Sequence, residues 1–520
     1  MLNNLFLYLN TIKYLNSKQI LYQIFYRLNL NIIFSFNNIK IDIPKKSILW
    51  KNYLINPSEY FDKNIFIFLN KKKKFDKIDW DYAGNDKLWS YNLNFFNFLI
   101  QNGISKKEGL TLIFDYIDSN NKKIGTQPYP ISLRIVNWIK FLNNHKIIDQ
   151  KINLQIIHDT NKLLENIEYH IQGNHLYENG VTLLFSGVFF ENKKIIEKGL
   201  SIINEELDKQ ILNDGGHFEL SPMYQNIVLR GLLDCICLMQ LNKINNQLQK
   251  KFASKASLML GWALNISNDD GTYPHVNDSI KGITNNIYEL QVYAKNLDIR
   301  PEFVELSESG YRRWKRDNFN ILIDVGQIGP KFLTAHSHAD TFSFELYFKN
   351  IPIIVDPGIS TYNKSKIREL ERSTSYHNTI NINKKNSSEV WHVFRTADRA
   401  EVEVLSENKY YISAQHNGYR KINTNVIRSF ELFEKSFVIN DEVLSFNNQR
   451  VESNLHFHPD IEPALNNNIL IINQDIRIEF YGYKKMKLCK YKFCKGFNSY
   501  TNAYKLVSIT EDKSSFEIKK

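Results

Sequence analysis

The chain has 520 residues, with 66 Lys and Arg against 55 Asp and Glu, a formal charge of +11. An apolar fraction of 43%, 13% aromatics, 21 Gly, 12 Pro and 4 Cys exclude a disordered chain, a collagen-like rod and a disulfide scaffold. No apolar run reaches the roughly 18 residues that a membrane-spanning helix needs, so no integral membrane segment is expected. The length exceeds what one hydrophobic core holds, and at least two large domains are expected. Surplus positive charge suits a nucleic acid, a membrane surface or an acidic polymer, and equally the bias of a Lys-, Asn- and Ile-rich composition. No basic-aromatic binding module occurs, which sets nucleic acid aside.

The segment Met1 to Leu15 is apolar in part but broken by Asn3, Asn4 and Asn10. No cation precedes it and no small-residue cleavage site follows, which argues against a cleavable secretory signal. Residues 1–60 are read as an N-terminal extension. Lys71 to Lys74 read as a solvated basic loop. From about Leu93 to Leu297 the apolar residues recur at helical spacing. Ile196, Leu200, Ile203, Leu207 and Ile211 line one helix face, with similar stripes in 154–170, 222–240 and 247–265. Short turns between them, such as Asn213-Asp214-Gly215-Gly216, predict antiparallel helical hairpins. Cys235/Cys237 and Cys489/Cys494 lack metal or redox spacing and read as buried thiols.

Near residue 305 the period changes to two. Phe319, Ile321, Ile323 and Val325 alternate, as do Phe342, Phe344, Leu346 and Phe348. The pattern returns at Val402/Val404 and from Ile469 to Phe480. Strands without intervening helices predict an antiparallel β-sandwich, with the junction in 295–312. The domain reading is therefore helical over 61–305 and sandwich over 306–520, an α+β multidomain class.

Four segments crowd ionisable residues into apolar elements. In Gly173-Asn174-His175-Leu176-Tyr177-Glu178-Asn179-Gly180, a helix starting near Gly173 would place Asn174, His175 and Glu178 on one face. A Glu beside a His orients the ring and raises its basicity. The competing reading is a capped helix start followed by a solvated acid. In Asp214 to Tyr224, Ser221-Pro222 is a strong helix start. It puts Tyr224 in the first turn, where the helix dipole helps a phenol of ordinary pKa ~10 approach ionisation. A core tyrosine is the alternative. Thr334-Ala335-His336-Ser337-His338-Ala339-Asp340, read as a strand, faces both histidines to one side. It is followed by Val355-Asp356-Pro357-Gly358 and by Arg372-Ser373-Thr374-Ser375-Tyr376-His377-Asn378-Thr379. His338, Asp356 and His377 offer nitrogen and oxygen ligands suited to zinc, or to iron where positions stay open. Histidines satisfied separately by hydrogen bonds are the alternative.

In order and spacing these stretches resemble the heparinase II/III-like polysaccharide lyase family, which takes in alginate lyases and heparinases II and III. Trp89-Ser90-Tyr91-Asn92-Leu93 and Arg134-Ile135-Val136-Asn137-Trp138 add to the likeness, which covers about 85–400 well. The resemblance implies an incomplete α/α toroid followed by an antiparallel β-sandwich. It implies a bacterial enzyme that cleaves a uronic-acid-containing acidic polysaccharide by β-elimination. Asn174 and His175 would neutralise the uronate carboxylate, with Glu178 orienting the histidine. Tyr224 and His336 would divide the roles of base and acid, Tyr362 being a weaker candidate for either. Arg134 and Asn137 would contact sugar or carboxylate beside Glu178 and Tyr362. His338, Asp356 and His377 would hold a chiefly structural zinc. Family members that act in the periplasm or cell envelope carry a signal that this chain does not show, which leaves the cytoplasm open. A homodimer is compatible with the resemblance. Gln225 follows the tyrosine where a histidine is common, which would alter substrate contacts. Two other readings stand beside the lyase: a metal-dependent polysaccharide hydrolase or oxygenase using His338, Asp356 and His377, and a non-catalytic protein of surface-polysaccharide assembly.

Overall fold

The computed structural model describes residues 2–28, 41, 48–61, 63–445, 449–472 and 475–520. Parts of the N-terminal extension, 29–40 and 42–47, lie outside the described residues. The extension begins with two helices, α1 (Leu2–Ile12) and α2 (Ser17–Arg27). Asn16 and Gln19 start α2 with a reciprocal capping box. Next comes a small sheet of β1 (Tyr60–Phe61), β2 (Ile65–Phe68) and β3 (Lys71–Lys74), in that order. The four lysines are therefore a strand and not the loop that their charge suggests. They pair with Ile65 to Phe68, and alternate side chains face solvent.

The helical domain proper starts later than residue 61, with α3 (Lys87–Phe95) and α4 (Lys106–Asp118). It continues through α5 (Pro128–Asn144), α6 (Gln150–Glu165), α7 (Gly173–Phe189), α8 (Lys193–Gln210), α9 (Pro222–Asn242), α10 (Asn246–Ile266) and α11 (Ile287–Asn296). The stripe read over 154–170 overshoots α6, which stops at Glu165. Burial sorts these helices into two rings. Nearly every residue of α7 is buried, as are most of α9 and most from Pro130 onward in α5. By contrast, α6, α8 and α10 bury one face only. A helix apolar all round belongs inside and an amphipathic one outside, so α5, α7 and α9 form the inner ring of an incomplete α/α toroid. The rings fit tightly where α7 meets α8. A Cβ on Gly199 would lie 2.5 Å from the backbone nitrogen of Leu184, so only glycine allows this approach. No helix among the described residues is long and apolar enough to cross a membrane.

The strands of the second domain begin with β4 (Tyr311–Arg316), β5 (Phe319–Asp324), β6 (Phe344–Phe348) and β7 (Ile351–Ile354), a four-stranded antiparallel sheet. The facing ten-stranded sheet is built on two 21-residue strands, Ile476–Gly496 and Ser499–Lys519. Phe344, Leu346, Phe430, Phe437 and Phe516 share one core between the sheets, the layered packing that a two-residue apolar period demands. One part of the alternation misleads: Val404, in Val402–Asn408, is 40% exposed. The domains are tied by Asp214, whose carboxylate accepts from the backbone of Ser307 and Ser309 and from the Ser309 hydroxyl. The N-terminal helices bridge them too. Asn16 binds Gln172 of the toroid, while Tyr8 packs edge-on against Trp391 of the sandwich.

Candidate active site

A cleft with a cavity volume of about 420 Å³ opens between toroid and sandwich. Asn137, Asn174, His175, Glu178, Tyr224, His336 and Tyr362 all line it. The toroid residues get there by a common route. Tyr129, Asn174/His175 and Tyr224 occupy the first turns of α5, α7 and α9. Hairpin connectivity points these inner helices the same way, so three positive helix ends converge on one cavity, a favourable setting for an anion. Ser221 caps α9 and Pro222 occupies its first position, as the sequence predicts. At the start of α7, Gly173 has φ +60°, and a Cβ there would lie 2.6 Å from Leu333 of the sandwich.

The His175 ring stacks on Tyr129, centroids 4.2 Å apart, and Asn174 Nδ2 lies 3.5 Å from the Tyr129 hydroxyl. The carboxylate that orients His175 is Glu168, not Glu178. Glu168 Oε1 lies 3.0 Å from Nδ1, and Asn179 secures Glu168 through its amide. Burial works against the charge of Glu168, yet His175 and Asn179 hold its carboxyl below the ordinary range. Glu178 lines the cleft instead, with its carboxyl pushed up to about 7 by burial and by Asp234.

Across the cleft the His336 ring stacks on Tyr224 with centroids 3.9 Å apart, and the Tyr224 and Tyr362 hydroxyls are 3.3 Å apart. Burial raises the Tyr224 phenol well above its usual value, so it holds its proton in the resting site. Residues 334–343 are irregular rather than a strand. His336 and His338 meet all the same, on the two oxygens of one buried carboxylate, Asp278. His336 Nδ1 lies 2.9 Å from Oδ2 and His338 Nε2 lies 2.9 Å from Oδ1. Arg368 grips the same carboxylate with both terminal nitrogens. Burial opposes the charge of Asp278, but Arg368 and the two histidines hold its carboxyl well below the usual range. An ionised Asp278 takes the Nδ1 proton of His336 as a hydrogen bond, which leaves Nε2 as the nitrogen facing Glu219, 3.8 Å away. The Asp278 backbone joins the two walls of the cleft: its N–H donates to His336 O and its carbonyl accepts from Ser221, the cap of the Tyr224 helix.

Two sequence expectations do not hold. Arg134 points away from the cleft: its guanidinium is buried, bonded to Asp159 and the Gly125 carbonyl, and it lies over the Tyr116 ring. Asn137, three residues on, does line the cleft, whereas Arg134 does not. Gln225 is also inside, where it accepts from His217 N–H and donates to the Gly215 and Met259 carbonyls. It fixes the 214–219 turn and does not line the cleft. Of the three ligands that the resemblance implies, His338 and His377 lie side by side, and Asp356 touches His377. Asp356 Oδ2 lies 2.7 Å from His377 Nδ1, and Oδ1 accepts from Gly358 N–H. Among the described residues no three His, Cys, Asp or Glu side chains are set to hold an ion. The donor chemistry nevertheless suits zinc. His338 Nδ1 and His377 Nε2 are buried without a partner, on rings whose centroids are 5.2 Å apart.

Sequence reasoning missed Glu168, Asp278 and Arg368. Glu168 lies outside the helix that carries His175, and Asp278 is 58 and 90 residues from His336 and Arg368. No spacing rule reaches across such gaps.

Comparison with known proteins adds the lineage. The heparinase II/III N-terminus model matches residues 127–306, and the heparinase II/III-like C-terminal model matches 298–517. A heparin-sulfate lyase of Bacteroides stercoris is 26% identical over 324 residues, 56% of this chain and 46% of that protein. The match thus spans less than half the length of that relative. A crystal structure of heparinase III superposes with a TM-score of 0.69 at 16% identity, covering 95% of this chain and 89% of that one. A heparan sulfate lyase mutant from Pedobacter heparinus gives 0.58 at 17%, covering 88% and 81%. At such identities the superpositions establish the fold, toroid plus sandwich. With both family models matched in order over contiguous stretches, the chain belongs to the heparinase II/III-like family.

Proposed function

We propose that this protein is a polysaccharide lyase that breaks the C4–O bond of a uronate residue by β-elimination. The observation that carries the reading is the meeting of Asn174 and His175 with Tyr224, Tyr362 and His336 around one cleft. The uronate carboxylate would lie against Asn174 and His175 at the helix ends, so that charge developing on it after loss of the C5 proton is stabilised. His336 Nε2 would take that proton. The released electron pair forms the C4–C5 double bond as the C4–O bond breaks, and the Tyr224 proton passes to the departing oxygen. Stacking of His336 on Tyr224 gives the proton a short way back, and Tyr362 orients the phenol. Asp278 fixes the His336 tautomer, and Arg368 fixes Asp278.

The lining carries three cations, Lys87, Lys140 and Arg230, against four carboxylates, Glu59, Asp86, Glu178 and Asp234. The surplus charge of the chain is therefore not gathered here. A near-balanced cleft suits a polymer with one carboxylate per repeat better than a densely sulfated one. Incubation with unsulfated and sulfated uronate polymers should generate ultraviolet absorbance from the new conjugated double bond, faster on the unsulfated chains. Reducing ends without that absorbance would make the protein a hydrolase. His338, Asp356 and His377 would hold a zinc ion whose part is to brace the 336–340 loop. Elemental analysis together with a fall in melting temperature on chelation tests that part.

A further inference from the structure

The cleft does not stop at the catalytic groups. It continues into the ring past Asn137 to Lys140, Arg230, Asp234 and Glu59, toward the C-terminal halves of the inner helices. There residues 48–61, which the sequence presents as part of an undistinguished extension, cross the ring as a strap. Leu49 exchanges hydrogen bonds with Asn242 at the end of α9. Trp50 packs on Phe185 of α7 and under the ammonium of Lys140 of α5. The Lys51 carbonyl meets Cys237 of α9, and Tyr53 packs on Tyr293 of α11. Asn56 accepts from Arg230 at 2.5 Å and donates to the Asn97 carbonyl at 2.8 Å. One short segment thus touches four helices of the ring, and its Glu59 lines the cleft.

We propose that the strap makes the inner end of the cleft blind, so that the enzyme binds and cleaves its polymer at a chain end. This rests on the polysaccharide reading above. A through-running cleft admits any internal stretch, whereas a walled one admits only a terminus. The wall also has the chemistry of a terminus site. Lys140 is paired with Asp234 at 2.5 Å, and Tyr293 donates to the other oxygen of Asp234. Beside them Arg230 has one nitrogen on Asn56, and Glu59 Oε2 is shut from solvent without any partner. A terminal sugar carries a free hydroxyl that internal units have lost to glycosidic bonds. Glu59, whose carboxyl burial pushes up to about 8, and Arg230 both line the cleft and can accept from it and donate to it.

Binding tests this without turnover. Tyr224→Phe protein is titrated by calorimetry with heparosan, chondroitin and alginate, each as oligomers of about ten sugars and as long polymer. A chain-end site gives one protein per chain at both lengths. Many proteins per long chain, or no binding by any of the three, overturns the proposal. Wild-type protein is then followed on the polymer that binds. Short unsaturated products from the first time point, at nearly constant viscosity, support the proposal, and an early ladder of long products overturns it. One protein per chain without ultraviolet absorbance would leave the chain-end site standing and remove the lyase reading. Asn56→Ala, which takes the wedge from between Arg230 and Asn97, should lengthen the first products. Should that variant fail to fold, the wild-type arms decide.

Discussion

The two walls of the cleft hold their candidate groups in place by different means. The toroid wall sets Asn174, His175 and Tyr224 on the opening turns of regular helices, where the backbone itself fixes direction and supplies partial positive charge. The sandwich wall presents His336 from an irregular loop, which has no such backbone support. It is held by buried ions instead: Asp278 between two histidines and Arg368, and Arg372 donating to the carbonyls of Ser337, His392, Val393 and Arg395. Burial without a carboxylate partner pushes the Arg372 guanidinium down to about 9. A helix terminus is stable by itself, whereas a loop of this kind is only as firm as its least satisfied ion. The toroid wall should therefore fail by losing chemistry, and the sandwich wall by losing both chemistry and fold.

The largest effect should come from Tyr224→Phe, which removes only a hydroxyl at a helix start. Loss of a proton donor costs on the order of 10³-fold in kcat, with the melting curve nearly unchanged. A rate within threefold of wild type would remove Tyr224 from the reaction. Asp278→Asn comes next. Steady-state kinetics should show about a 100-fold loss, and urea unfolding should show a loss of about 3–5 kcal/mol, because Arg368 is left buried and uncompensated. Loss of rate with full stability would mean that the loop does not depend on this ion cluster. Arg134→Met marks the boundary of the site. Asp159 is stranded at a similar cost of about 3 kcal/mol, yet the folded protein should keep its KM. A raised KM would return Arg134 to the cleft. The smallest effect is one of pH. Because the folded-state pKa of Glu178 is raised to about 7, its protonated form favours folding. That contribution is fully present below the unfolded pKa of ~4.3 and is lost as pH rises through 7. Unfolding measured at pH 5 and pH 8 should show wild type losing more stability than Glu178→Gln. Equal losses would place the Glu178 charge in solvent.

Much of the architecture is legible in the chain because period is a local property. The stripe from Ile196 to Ile211 could only be a helix, and the alternation from Phe319 to Val325 could only be a strand. The same local logic failed at Lys71–Lys74, where charge masked a strand whose partner, Ile65–Phe68, supplies the buried face. Of the site, the groups at helix starts were readable because Ser221-Pro222 and Gly173 announce where a helix begins. Arg134 was misplaced because a cation near a motif says nothing of which way α5 turns it.

By itself the sequence determined the two-domain class, the positions of the inner helix starts and the residue types that gather at the candidate site. Tertiary structure decided which carboxylate serves which histidine: Glu168 for His175, and Asp278 for His336 and His338 together. It also turned residues 48–61 into the end wall of the cleft. The physical reason is that helices and strands are fixed by neighbours a few residues away. Buried ions and a blind cleft exist only once segments tens to hundreds of residues apart share one low-dielectric space, where each charge must find its partner.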